Sequence, residues 1–299
     1  MTAVGFIGLG HMGAALARRL AKAGHPLVVH DRDTAASSAL ATRGVEVAGS
    51  AREVGERAQV VFLCLPSAEA TREVSAALAG AAALRVLVET STVGPQALRE
   101  LAERMAAQGV AVVDAPVSGG PRGAEAGTLS VMHAGPPAAM EAVRPLLQAI
   151  AGRLFDMGEE PGLAQVCKLV NNAISAAGMI AACEATVLGV RAGLDAGTLL
   201  HAINAGSGRN AATLDKFPQS ILTGTFDFGG PLGLMLKDLD LFIRLAREQG
   251  VRSDLAAATL QAWQEAADRT GGNADYSMVI RHMEADAGVE VRARHTPKD

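Results

Sequence analysis

Cysteine is scarce in this chain: Cys64, Cys167 and Cys183 are the only three. Their number is odd and their spacing fits no metal-ligand pattern, which argues against a disulfide framework and against a zinc site. No His/Asp/Glu cluster suggests a metal elsewhere. A basic excess is also lacking. The formal net charge is −4 at pH 7, whereas a nucleic-acid partner normally demands a cationic face. Long apolar runs are missing too. The most apolar stretch, residues 173–183, is mostly small side chains and falls short of the roughly 20 residues a spanning helix needs, so no membrane partner is expected. With the strand-like Val4-Gly5-Phe6-Ile7 so near the start, no signal or transit segment is expected. Internal repeats and low-complexity tracts are absent. What is there is 299 residues, 49% hydrophobic and 19% charged, enough for a large core in about two domains at roughly 150 residues each. A cytoplasmic enzyme fits these limits, although composition alone does not require one.

Up to about residue 156, short apolar runs alternate with Ala-rich helical periods. Strands are expected at Val4–Ile7, Leu27–His30, Val45–Ala48, Val60–Leu63, Val86–Val88, Val110–Val113, Leu129–Met132 and Leu154–Phe155. Helices such as Ala14–Ala23 and Pro95–Ala107 lie between them. This alternation predicts an α/β domain built on a mostly parallel, doubly wound sheet over residues 1–160. Beyond residue 160 the β-branched alternation stops. Long helical periods are expected near Leu163–Ala192, Ala196–Asn204, Leu232–Gln249 and Asp254–Thr270, with a shorter one at Tyr276–Ala285. They make an all-α domain over 161–288, joined to the first by the long helix and punctuated at 206–211 and 224–231. Residues 289–299 read as a frayed polar tail.

The first strand runs into Gly8-Leu9-Gly10-His11-Met12-Gly13, and an Ala/Leu-rich helix follows. This is G-x-G-x-x-G between a strand and a helix. Gly8 allows the tight turn, Gly10 lets the backbone approach a pyrophosphate, and Gly13 lets the helix pack close to the strand. The phosphates would sit at the helix N-terminus, where unpaired N–H groups and the dipole favour an anion. A second strand ends at Asp31, 18 residues after Gly13, close to where a ribose-binding acid belongs. Together these predict a dinucleotide site; a lone Gly-rich turn would not. Asp31 favours NAD over NADP, because its carboxylate can accept both ribose hydroxyls and would repel a 2′-phosphate. Arg32 could stack on the adenine or restore a phosphate contact, so NADP stays open.

The long helix offers a catalytic signal. Among apolar neighbours, Lys168, Asn171, Asn172 and Ser175 fall at i, i+3, i+4 and i+7, which is one helical face. A polar stripe on a buried helix is expensive unless something polar meets it. A lysine there would be partly desolvated, its pKa lowered towards the range useful for proton transfer. A solvated lysine on an exposed face is the alternative, and the pattern alone does not choose. A second signal is Asp114-Ala115-Pro116-Val117-Ser118-Gly119-Gly120 at the end of the sixth strand, where ligands bind in doubly wound sheets. A hydroxyl beside two glycines suits a carboxylate; an ordinary Gly-rich loop would look the same.

Four ordered motifs, GFIGLGHMG (5–13), DAPVSGGPRGAEAGTL (114–129), GLAQVCKLVNN (162–172) and LMLKDL (234–239), resemble the β-hydroxyacid dehydrogenase family. The resemblance runs from Gly5 to about Glu284. It implies a Rossmann-type domain, a long helix and an all-helical domain that commonly supports homodimers or homotetramers. It implies interconversion of a small β-hydroxyacid with its semialdehyde or oxo acid, of the 3-hydroxyisobutyrate, tartronate semialdehyde or glyoxylate/succinic semialdehyde type. By the same resemblance Lys168 is the catalytic general acid/base and Asn172 orients the substrate, while Ser118, Gly119 and Gly120 grip its carboxylate. Leu65 and Pro66 line the adenosine side of the cofactor, Thr92 lies near the nicotinamide ribose, and Lys237 closes over the cofactor. His11 is expected to be structural, His201 and His282 to be helix-surface residues. Arg122 and Arg209 could touch a second anionic group or simply point into solvent.

Two rival readings remain. Imine reductases resemble this family in fold but generally carry another residue at the place of Lys168. Non-catalytic scaffold relatives tend to lose that lysine. The presence of Lys168, Asn172 and Ser118 counts against both.

Overall fold

Residues 3–41 and 44–293 are described by the computed structural model of the chain. Six short apolar segments form one sheet: β1 (Val4–Ile7), β2 (Leu27–His30), β3 (Val45–Val47), β4 (Val60–Leu63), β5 (Val86–Glu89) and β6 (Ala111–Asp114). Every pairing is parallel and the order is β3-β2-β1-β4-β5-β6. Parallel strands need helical crossovers, so both faces are covered and the central strands read as unbroken apolar runs. The crossovers are α1 (His11–Lys22), α2 (Thr34–Ser38), α3 (Ala51–Arg57), α4 (Ala68–Ala77) and α5 (Pro95–Ala106). Three begin on side-chain caps, Asp33, Ser50 and Ser67, each accepting a backbone N–H of the first turn, a device that fixes where a helix starts. One face of the sheet packs Phe6, Leu16, Leu20, Phe62 and Leu147 together. The other packs Val54, Val61, Leu78, Leu98 and Leu101. This is the expected doubly wound, Rossmann-type sheet.

The last expected strands depart from that plan. A separate three-stranded sheet contains β7 (Val117–Ser118), β8 (Leu129–His133) and β9 (Ala151–Asp156), with α6 (Gly120–Ala126) and α7 (Pro137–Ile150) between them. β7 pairs antiparallel with β8, and β8 parallel with β9. The Asp114–Ala134 bridge turns the chain out of the six-stranded sheet. A two-residue strand inside a Gly/Pro-rich motif carries no periodic signal, so this segment read as a loop.

By its contacts the chain divides into two units, Met1–Lys168 and Leu169–Asp299. The division falls within the long helix α8 (Leu163–Arg191). The second unit continues with α9 (Ala196–Ala205), a π-helical segment Ala212–Ile221, α10 (Leu232–Glu248), α11 (Asp254–Thr270), a 3₁₀ turn Tyr276–Ile280 and α12 (Arg281–Ala287). Its core gathers Met179, Cys183, Phe217, Leu239 and Val279 around Trp263, whose indole N–H donates to the Ala176 carbonyl at 3.3 Å. By length and composition α8 would suit a membrane span, its most apolar window having a mean hydropathy of 1.7 with 44% buried. The apolar reach is thus longer than residues 173–183 suggested. Yet Ala176, Met179, Ala182 and Cys183 lie in the second unit's core, which marks α8 as a core helix.

Three further expectations are corrected. The segment 276–285 starts as 3₁₀ before becoming α-helical. His282 is buried, not a surface residue, and its Nδ1 has no hydrogen-bond partner. The start of the expected tail is anchored: Val291 is buried, and its N–H and the Arg292 guanidinium both donate to the buried carboxylate of Glu284 at 2.8 Å. Residues 294–299 of that tail lie outside the described residues.

Candidate functional site

The glycine-rich turn is dictated by sterics. Gly8 has φ +94°, and a Cβ there would lie 2.2 Å from the Cys64 carbonyl oxygen; a Cβ on Gly13 would lie 1.9 Å from the Gly8 oxygen. Both contacts are impossible for any larger residue, so strand, turn and helix can close together only with glycine. Gly10 differs: a Cβ would meet nothing within 4 Å, and the residue is exposed at the start of α1. This is an open face over a helix N-terminus, which fits a pyrophosphate. His11 is exposed, Met12 half-buried and Leu9 buried.

Asp31 stands at the end of β2 beside this turn. Its carboxylate accepts the Leu9 N–H at 2.5 Å and the Asp33 N–H at 2.8 Å. The acid is therefore held against the Gly-rich loop by Leu9 and within its own turn by Asp33, with lone pairs left for ribose hydroxyls. Arg32 beside it is exposed. Leu65, half-buried, and the exposed Pro66 follow β4, and the Leu65 N–H donates to Ser91 Oγ at 2.7 Å. Thr92, half-buried, follows β5. Behind it Glu89 is fully buried and accepts from Thr71 Oγ1 and the Ser91 N–H. All these residues sit at the carboxyl ends of parallel strands around β1 and β4, where the strand order reverses, as a dinucleotide requires. Burial pushes the neighbouring Cys64 thiol up to about 12, so it is a neutral neighbour rather than a nucleophile.

Ser118 ends β7, half-buried, and Gly119 and Gly120 follow with φ +126° and +66°. A Cβ on Gly119 would also lie 2.9 Å from Leu129 Cδ2. Both glycines are thus required by the backbone, independently of any ligand.

The first turn of α8 is locked to the sheet by a residue outside the expected site. Gln165 is fully buried. Its side-chain Nε2 donates to Asp114 Oδ1 (2.8 Å) and the Ser91 carbonyl (3.1 Å), and its Oε1 accepts from the N–H groups of Val93 (2.9 Å) and Gly94 (3.0 Å). Its backbone N–H donates to Asp114 Oδ2 at 3.0 Å. Burial pushes the Asp114 carboxyl up to about 7 despite those donated bonds, with the Glu89 charge adding to the rise. One turn after Gln165, Lys168 is buried. The solvated-face alternative for Lys168 therefore does not describe this helix.

One turn further on, Asn172 is buried too. Its Nδ2 donates to Asp238 Oδ2 at 2.6 Å and its Oδ1 accepts from Asn171 at 3.0 Å. Lys237 pairs with Asp238 Oδ1 at 3.2 Å. In the second unit, then, Asp238 holds both Asn172 and Lys237. Arg122 and Arg209 are exposed. The buried cation near the stripe is Lys216 of the π-helical segment, whose Nζ lies 3.5 Å from Ser175 Oγ. Among the described residues no cluster of His, Cys, Asp and Glu could hold a metal.

Two family models match in succession: the NAD binding domain of 6-phosphogluconate dehydrogenase over residues 3–158, and the NAD-binding domain of NADP-dependent 3-hydroxyisobutyrate dehydrogenase over 162–283. The chain is 33% identical to 2-(hydroxymethyl)glutarate dehydrogenase of Eubacterium barkeri, covering 96% of this chain and 97% of that one. It is 36% identical to 3-hydroxyisobutyrate dehydrogenase of Pseudomonas aeruginosa, covering 87% and 90%. The solved structure of a Mycobacterium tuberculosis 3-hydroxyisobutyrate dehydrogenase with L-serine superposes with a TM-score of 0.85 at 32% identity, covering 95% and 99%. The glycine turn, the acid at the end of β2, the buried lysine and these matches agree: the chain belongs to the β-hydroxyacid dehydrogenase family, NAD(P)-dependent oxidoreductases acting on the hydroxyl group of hydroxyacids.

Proposed function

We propose that the chain interconverts a small β-hydroxyacid and its semialdehyde or oxo acid with Lys168 as general acid/base, using NAD in preference to NADP. The observation that carries this reading is the seating of Lys168: it is buried, one turn beyond a glutamine bonded to Asp114 at the end of β6 and to Ser91 just past β5, and one turn before Asn172 on the same face. The Gly8–Gly13 turn, Asp31, Leu65, Pro66, Thr92 and Lys237 would hold the dinucleotide, which supplies hydride transfer when bound. Ser118, Gly119 and Gly120 hold the substrate carboxylate, and Asn172, fixed by Asp238, orients the carbon that reacts. In oxidation uncharged Lys168 accepts the hydroxyl proton at Nζ; in reduction the ammonium returns it to the carbonyl oxygen. Orientation by the carboxylate clamp can lower the barrier by several kcal/mol. Asp31 supports NAD, since a carboxylate fixed beside the ribose would repel a 2′-phosphate.

The substrate is of the 3-hydroxyisobutyrate, 2-(hydroxymethyl)glutarate, L-serine or L-threonate type on which relatives are named to act. Initial rates at 340 nm over that panel, with each cofactor, test the reading on the wild type and on Lys168→Met. Turnover that falls by about 10²–10⁴-fold in the variant is expected. Turnover that persists in the variant would assign the proton transfer to another group.

A further inference from the structure

Lys216 is a buried ammonium that makes no ion pair among the described residues, the exposed Asp215 acting on it only through its charge. It is 8% exposed, in the π-helical segment Ala212–Ile221, and π-helical turns concentrate at functional sites. Its described contacts are the Ser175 hydroxyl at 3.5 Å and the faces of Phe228 and Tyr276, with ring centroids at 5.6 and 5.4 Å. Asp215, its neighbour in sequence, is exposed, and Asp238 is engaged by Asn172 and Lys237. The aromatic faces offset part of the desolvation, but a long hydroxyl contact is weak compensation for a buried charge. Burial accordingly lowers the pKa of the lysine. Tyr276 adds to the imbalance: its hydroxyl is buried without a well-formed hydrogen bond, and burial pushes its pKa up, with the Ser175 hydroxyl pulling the other way. Three groups able to donate, Lys216, Tyr276 and Ser175, thus gather where no carboxylate among the described residues accepts from them. Such a group of donors suits an anion.

Ser175 belongs to the same stripe of α8 as Lys168 and Asn172. It is one turn beyond Asn172 and two beyond Lys168, about 10 Å along the axis from the lysine. We propose that Lys216 binds a second anionic group of the substrate, so that the favoured class is a dicarboxylic β-hydroxyacid whose far carboxylate is carried on a few carbons beyond the reacting centre. This rests on the reading that the polar stripe of α8 faces substrate. Lys216 contributes to specificity, and proton transfer stays with Lys168.

The test uses binding, which does not depend on the chemistry. The NADH-loaded enzyme is titrated calorimetrically with 2-methylglutarate and with 2-methylpentanoate, which differ only in a carboxylate for a methyl at the far end. Wild type, Lys216→Met and Lys216→Arg are compared, with melting temperatures as a control for folding. The wild type is expected to prefer the dianion by about 10- to 100-fold, the worth of a charge-assisted hydrogen bond. Lys216→Met should lose that preference while binding the monoanion as before, and Lys216→Arg should retain much of it. No preference in the wild type, or an equal preference in Lys216→Met, would overturn the proposal. A preference lost in Lys216→Met together with undiminished turnover in Lys168→Ala would uphold Lys216 and refute the lysine mechanism instead.

Discussion

At Asp31 one carboxylate accepts two backbone N–H groups, from Leu9 and Asp33, so the residue proposed to read the ribose also fixes the glycine-rich turn. Asp31→Asn replaces one accepting oxygen by a donor and removes the charge that opposes a 2′-phosphate. Fluorescence titrations with NADH and NADPH should show the ratio of affinities shift towards NADPH by about tenfold or more; an unchanged ratio would mean that the acid does not set cofactor choice. Asp31 and the glycines were legible in the sequence because a turn between strand and helix leaves few steric options. Asp238 stands in the sequence only as part of LMLKDL (234–239), and nothing there says that it holds Asn172, a contact across 66 residues. Lys216 is equally illegible in the sequence. It is a single charge in a segment interrupted by Pro218, with no period to assign it a face.

At the scale of the element, α8 shows both the reach and the limit of periodicity. The spacing of Lys168, Asn172 and Ser175 predicted a shared face, and the helix ends within a residue of its expected bounds. Gln165, one turn before Lys168, continues the same stripe, yet its meaning depends on Asp114, brought to it by the sheet. This pair has a pH signature. Asp114 titrates near 4 in an unfolded chain and at about 7 in the fold. The folded state binds the proton more tightly, so the group's contribution to stability is greatest below pH 4 and is lost as pH rises towards 7. Gln165→Glu would place a second carboxylate where Nε2 now donates and raise the pair further. Melting temperatures at pH 5 and pH 8 should therefore differ more in Gln165→Glu than in the wild type. Equal differences would show that the pair does not titrate in this range.

For the whole molecule, composition and alternation were enough to foresee a doubly wound sheet followed by helices, since helical crossovers and a parallel sheet require one another. The three-stranded sheet was not foreseen, because β7 is two residues long and is stabilised only by pairing with β8. Each unit carries its own core, and that of the second is closed by the sole tryptophan. Trp263→Ala should lower unfolding free energy by about 3–5 kcal/mol in denaturant melts followed by circular dichroism, and Trp263→Phe by less. A change below about 1 kcal/mol for the alanine variant would contradict a core closed around this ring.

Whether Lys168 moves the proton is asked most directly by chemical rescue. The turnover number of Lys168→Ala is measured with cofactor and hydroxyacid saturating, over increasing concentrations of ethylamine. A loss of about 10²–10⁴-fold is expected, partly restored in proportion to the free amine. A variant within tenfold of the wild type, or a deep loss that no amine relieves while substrate and cofactor still bind, would contradict proton transfer by Lys168.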